Sequence, residues 1–181
     1  MTFIVQADTP VANANAYIDA QYMRDVMSLR GIDLSQYTDN QLQVAIIKAT
    51  EYVDLRFKYK GLKKDQNQDL QWPRYWITNR EGFNISGLPN PVKKATAFYA
   101  KRALTVELLP EIDYDSSGAA IKRKVETVGP ITEETEYSNG GEVVFPTYND
   151  GDLLLISNGY IEESTSISNT NSIVSGSIGV G

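Results

Sequence analysis

The chain has 181 residues, 41% of them hydrophobic and 22% charged, enough for one ordinary domain with appendages or two very small ones. It contains no Cys and no His, which excludes a disulfide framework, a thiolate nucleophile, an imidazole base and a Cys/His zinc centre. Catalysis would have to rest on carboxylates, a Lys or an oxygen-bound metal, and the chain is read as a non-enzyme without a cofactor.

The net charge of −6 is unevenly placed. Lys124 is the last cation, and residues 125–181 carry nine of the 23 acids, so residues 1–124 hold fourteen acids against all 17 cations, a balance of +3. A mildly basic front and a wholly acidic back suit either a solvated acidic tail or head-to-tail contact between copies. The N-terminus lacks a basic segment followed by a long apolar core, and the apolar run at 153–156 is far short of a membrane span. Neither secretion by a cleaved signal nor a membrane partner is expected.

In chain order, Phe3, Ile4 and Val5 suggest a short strand. Thr9 and Pro10 then form an N-cap and N1 pair, with Ala16, Ala20, Met23 and Met27 at helical spacing, so a first helix is predicted over about 11–30, ended by Gly31. Thr38 and Gln41 make a capping box for a second helix over about 39–57, whose stripe is Leu42, Ala45, Ile46, Ala49 and Val53. Residues 58–90 lack periodicity and read as a long ordered loop. Asn90 as cap and Pro91 at N1 open a third helix with Val92, Ala95, Tyr99, Ala103 and Val106 on its stripe, running to about Leu109. Residues 121–128 and 131–137 flank Gly129-Pro130 as a hairpin, residues 143–146 are extended, and 150–157 suit a short helix.

Residues 164–181 hold thirteen Ser, Thr, Asn or Gly, five Ile or Val, and no charge. Such a tail has too little apolar surface to repay the ~1–2 kcal/mol per residue of ordering unless another surface receives it. Ile167, Ile173, Ile178 and Val180 are its candidate anchors.

The most informative stretch is 56–76. Arg56, Lys58, Lys60, Lys63 and Lys64 interleave with Phe57 and Tyr59, followed by Trp72, Pro73, Arg74, Tyr75 and Trp76. Cations that track phosphates beside aromatics that stack bases are the signature of single-strand binders, although the acidic balance and Asp65 and Asp69 oppose it. The competing reading buries Trp72 against the second helix and pairs Arg74 with Asp54 or Asp69, leaving the five cations for a partner's acids.

Tyr17, Ala49-Thr50, Tyr52-Val53-Asp54, Tyr59-Lys60-Gly61, Gln68, Leu70, Trp72-Pro73-Arg74, and Pro91-Val92 opening a helix with Ala95 and Ala100 form one pattern. Over about 10–137 the chain resembles the head-tail adaptor proteins of tailed bacteriophages, some of them catalogued as DnaT-like putative single-stranded-DNA-binding proteins. The structural motif carried by the resemblance is Asp54, Gly61, Leu70, Trp72, Pro73 and Arg74. The resemblance, joined to the elements read above, gives an expected mainly α protein: a three-helix adaptor domain (1–110), a β-hairpin region (111–140) and a long extended C-terminal arm (141–181), the stretch after about 140 lying outside the resemblance. It also implies a homo-oligomeric ring, typically of twelve copies, beneath the portal protein. That ring completes the head after packaging, docks a tail, stopper or nozzle protein, and passes genomic DNA without specific binding. The location implied is the virion neck, with assembly in the host cytoplasm. Single-stranded-DNA binding through 56–76 is the alternative.

Other constellations are weaker. Asp113, Asp115 and Gly118 resemble a calcium loop, but Lys124 stands where the bidentate Glu would be needed. Asp150-Gly151-Asp152 reads as a helix cap, and Glu133, Glu134 and Glu136 as a solvated strand face.

Overall fold

The computed structural model describes residues 2–109, 147–162 and the backbone of 121–127 and 132–137. The fold is mainly α. Its helices are α1 (Ala20–Ser28), α2 (Asp39–Arg56), α3 (Asn90–Ala103) and α4 (Asn149–Ser157). The strands form three two-stranded antiparallel ladders: β1 (Leu62–Lys63) with β2 (Arg74–Tyr75), β3 (Ile77–Thr78) with β4 (Asn84–Ile85), and β5 (Ile121–Thr127) with β6 (Thr132–Tyr137).

The second helix follows the sequence closely. Thr38 accepts from Gln41 N while the Gln41 side chain accepts from Thr38 N, and Leu42, Ala45, Ile46, Ala49 and Val53 are all buried. α2 and α3 make the broadest helix contact, α4 packs on α3, and α1 touches both α2 and α3.

The first helix is shorter than its periodicity predicts. It begins at Ala20, capped by Asp19, whose carboxylate accepts from Tyr22 N at 2.7 Å. Residues 5–16 instead close a turn. Gln6 N donates to Ala16 O, Val5 bridges Ala16 in parallel, and the Gln6 amide donates to the carbonyls of Ala7 and Thr9. Asn13, at φ 58°, is incompatible with a right-handed helix there. The strand suggested by Phe3, Ile4 and Val5 is thus reduced to the one Val5 bridge. Gly31, at φ 72°, follows the helix end as its spacing predicts.

The third helix also differs at both ends. Pro89 occupies the N-cap, without a side-chain cap bond, and Asn90 is the first helical residue. The helix stops at Ala103 instead of near Leu109. There the Thr105 hydroxyl bonds Arg102 O, and the backbone amides of Thr105 and Val106 turn back to the same carbonyl. Val106 is consequently exposed, and Leu108 becomes the buried residue.

The hairpin expected between residues 121 and 137 is present as β5–β6, with Ile121 opposite Tyr137 and Thr127 opposite Thr132. Its Gly129-Pro130 turn, the extended piece at 143–146, the loop with Asp113, Asp115 and Gly118, and the anchors Ile167, Ile173, Ile178 and Val180 lie outside the described residues.

The short helix expected at 150–157 is α4. It is not opened by its acids: Tyr148 is the N-cap, with no side-chain cap bond, and Asp152 is buried and accepts from the Tyr99 hydroxyl at 2.5 Å. Gly151 lies against the Tyr99 ring, where a Cβ would overlap ring carbons. Past α4 the chain returns along 58–60. Lys60 N donates to Tyr160 O, Glu162 N donates to Lys58 O, and Tyr59 bridges Ile161 antiparallel. Residues 147–162, at the start of the expected arm, therefore pack on the chain's own body.

Candidate interaction site on the double-ladder loop

The site is built outward from the end of α2. Asp54 lies on its last turn and accepts the Tyr17 hydroxyl at one carboxylate oxygen and Gln71 N, at 2.9 Å, at the other. The Tyr17 oxygen in turn accepts from Trp72 N at 3.1 Å. One carboxylate thus ties the segment before α1 to the segment before β2. Burial is the leading influence on Asp54 and raises its carboxyl to about 6; the two hydrogen bonds pull the other way.

These bonds seat Trp72, fully buried, with its ring 5.4 Å from Tyr59 and 5.5 Å from Tyr160. Its burial accords with the sequence reading, though the stacking partners come from the loop and the segment after α4. The Trp72-Pro73 peptide is cis. Leu70 is buried beside it, and the buried Gln68 amide donates to Leu70 O and Pro73 O.

Arg74 does not pair with Asp54 or Asp69. Its guanidinium donates to the carbonyls of Lys60 (2.8 Å), Gly61 (2.8 Å), Gln71 (3.1 Å) and Tyr59 (3.3 Å) and to Gln71 Oε1 (2.9 Å). Asp54 is already occupied by Tyr17 and Gln71, and Asp69 accepts from Asn13 N at 2.9 Å. The planar fork instead satisfies carbonyls that the turning chain leaves without ladder partners. Gly61 permits that turn. Its φ is 69°, and a Cβ would overlap Tyr75 O across the ladder.

With Trp72 and Arg74 spent inside, the loop presents a different set outward. Leu62 pairs with Tyr75 in the β1–β2 ladder, and they are 58% and 49% exposed. Trp76, 80% exposed, has its ring 6.5 Å from that of Tyr75, and Lys64 Nζ lies 5.7 Å over the Tyr75 ring. Trp76 also holds φ at 56°, a left-handed conformation that costs a bulky residue on the order of 1 kcal/mol or more. Beyond its contact with the Tyr75 ring, the exposed indole gains little from its own fold.

The five candidate cations separate. Lys60 is exposed and Lys64 flanks Tyr75, whereas Lys58 pairs with Glu162 at 2.8 Å and Lys63 donates to Gln68 O. Arg56 turns inward, 4.0 Å from the buried Asp152. A cleft of about 510 Å³ beside the loop includes Arg56, Lys58 and Arg74 in its lining, and each of these already has a partner. Among the described residues no cluster of three or more carboxylates could hold a metal.

Sequence reasoning missed the Tyr17–Asp54–Trp72 connection and the exposure of Leu62 and Phe83, the latter 69% exposed beyond β3. A Tyr and an Asp at matching places in two helical patterns carry no mark of contact 37 residues apart. The unusual density of aromatics in 57–83 was the available signal.

No curated protein and no solved structure matches the chain. A family model does, over residues 1–175. The chain therefore belongs to the family described as "Putative DnaT-like ssDNA binding protein".

Proposed function

We propose that the chain is a virion structural protein, the head-tail adaptor of a tailed phage. Copies form a ring, of twelve in the resembling proteins, beneath the portal. The ring completes the DNA-filled head, and a tail, stopper or nozzle protein docks on it. The genome passes through the lumen without specific binding, and the acidic back half would disfavour adhesion of passing phosphate. The place of action is the virion neck, after assembly in the host cytoplasm.

One observation carries this reading. Of the residues that carry the resemblance to the adaptors, Asp54, Gly61, Leu70, Trp72 and Arg74 brace the double-ladder loop from within, and the loop offers Leu62, Tyr75 and Trp76 outward as apolar anchors. Bracing a presented face suits protein docking and requires no chemistry of the residues that do the bracing. In a phage encoding this chain, its loss should leave DNA-filled heads beside free tails, and supplying it in trans should restore joined particles. Ordinary virions without it would overturn the reading.

Single-strand DNA binding is the second reading, favoured by Tyr75 and Trp76 beside Lys60 and Lys64 and by the family's description. It requires salt-dependent binding of labelled oligo(dT) that Trp76→Ala weakens; a flat titration at low salt dismisses it.

A further inference from the structure

We propose that the outward face of α3, completed by Arg30, contacts the phosphate backbone of duplex DNA without reading its sequence. Neither reading above uses this face. Its setting, a genome passing through the ring, rests on the adaptor reading.

α3 carries four cations, Lys93, Lys94, Lys101 and Arg102, and no acid. Val92, Ala95, Tyr99 and Ala100 bury its apolar side, which leaves Lys94 and Lys101 exposed on the other. Seven residues apart, these two share one face and stand about 10 Å apart along the axis, with Phe98 between them. Arg30, just past the end of α1, lays its guanidinium over the Phe98 ring, 4.2 Å from the centroid. Arg30, Lys101 and Arg102 also meet in the lining of one pocket of about 50 Å³, whose single acid is Asp150, 3.6 Å from Arg30. Lys48 and Lys58 are held by Glu107 and Glu162, whereas among the described residues the ammonium groups of Lys93, Lys94 and Lys101 form no hydrogen bond or ion pair.

Five cations against one acid select a polyanion. A protein partner would also need apolar anchors to desolvate, and α3 exposes no large apolar side chain: Phe98 is only partly exposed and is covered by Arg30. The same cover keeps Phe98 from stacking a base, so a single strand has no platform here, in contrast to Tyr75 and Trp76. Duplex DNA presents one charge per about 1.7 Å of its axis, twice the density of one strand, so the row from Lys94 to Lys101 faces roughly six phosphate charges. Cations that meet phosphates alone carry no sequence information. The contact is therefore weak, labile to salt and able to slide, as a conduit for DNA requires.

The experiment titrates the full chain into a fluorescently labelled duplex of about 30 base pairs, read by anisotropy between roughly 20 and 200 mM salt. Affinity should fall steeply with salt and be equal for a second duplex of unrelated sequence. Lys94→Gln with Lys101→Gln should lower it about tenfold at low salt and flatten the log–log salt slope by about two, each single change by about one. Lys94→Arg with Lys101→Arg should retain it. Trp76→Ala should leave it unchanged, and so should Leu29→Ser, which removes the exposed apolar residue next to Arg30. Circular-dichroism melts check that each variant is folded; all four positions are exposed. No binding at the lowest salt, wild-type affinity in the double Gln variant, or loss on Leu29→Ser would overturn the proposal. Polyglutamate competing as tightly as the duplex would overturn it in favour of an acidic protein, and oligo(dT) bound as tightly through Lys94 and Lys101 in favour of a single strand. If duplex affinity depends on the two lysines while particles lacking the chain mature normally, the contact stands and the adaptor reading falls; the converse result removes only the contact.

Discussion

The Tyr17 hydroxyl donates to Asp54 and accepts from Trp72 N, so one oxygen joins the segment before α1, the end of α2 and the buried Trp of the loop. Tyr17→Phe keeps the ring but removes this junction, leaving the Trp72 amide without its acceptor and Asp54 with only the Gln71 amide as donor. The expected cost is about 1–3 kcal/mol, the penalty of buried groups left unpaired. For a chain of this size each kcal/mol lowers the thermal midpoint by about 2–4 °C. An unchanged midpoint in circular-dichroism melts would show that water replaces the hydroxyl at no cost.

Asp54 makes stability depend on pH in the direction opposite to an ordinary salt-bridged carboxylate. Its folded value, about 6, lies above the unfolded value of about 3.9, so the folded state holds the proton more tightly. Its contribution is fully present below pH ~4 and is lost as pH rises through ~6, about 3 kcal/mol in all. Asp54→Asn removes the titrating group. Urea unfolding at several pH values between 4 and 7 should show wild type losing stability relative to the variant as pH rises. A constant difference across that range would refute the assignment.

What was legible in the sequence was local. The Thr38–Gln41 box spans three residues, so its partners can be read from spacing alone, and α2 follows. Trp72 is too large to leave exposed beside so few other anchors, which gave its burial but not the rings around it. Arg74 was misassigned because a sequence displays carboxylates and conceals converging backbone carbonyls. Asp152 looks like a first-turn helix acid, and only its contact with Tyr99, 53 residues earlier, puts it inside. The start of α1 failed for a related reason: Thr9-Pro10 is a sound local signal, overridden by Gln6 binding the Thr9 carbonyl and by Asn13's backbone. Trp76 was visible as a candidate contact, yet its positive φ is a property of the junction between two ladders.

The carbonyl cage around Arg74 predicts that a simple cationic replacement will not serve there. Lysine brings charge without a planar fork, so it can meet one or two of the five acceptor contacts and leaves the rest buried. Arg74→Lys should lower stability by about 2 kcal/mol. The loss should concentrate in the loop, seen as faster hydrogen exchange at Lys64 N, which bonds Pro73 O. Uniform loss across the chain, with that amide no faster than the others, would mean that the cage supports the whole fold and not the loop in particular.

Gly151 and Gly31 separate crowding from backbone strain. At Gly31 a Cβ meets nothing within 4 Å, and only its φ of 72° opposes a side chain, so Gly31→Ala should cost about 1 kcal/mol. At Gly151 the backbone is helical, but a Cβ would overlap the Tyr99 ring, which also holds Asp152 through its hydroxyl. Gly151→Ala therefore improves helix propensity while pushing α4 off α3, and the steric term prevails because the ring is buried between Tyr52 and the helix. Exchange protection should fall for the amides of α4 and for Lys60 N, which bonds Tyr160 O just beyond that helix, while α2 stays protected. A Gly151→Ala chain with α4 protection equal to wild type would show that the Tyr99 ring yields, and that the close approach of the two residues is incidental to docking the helix.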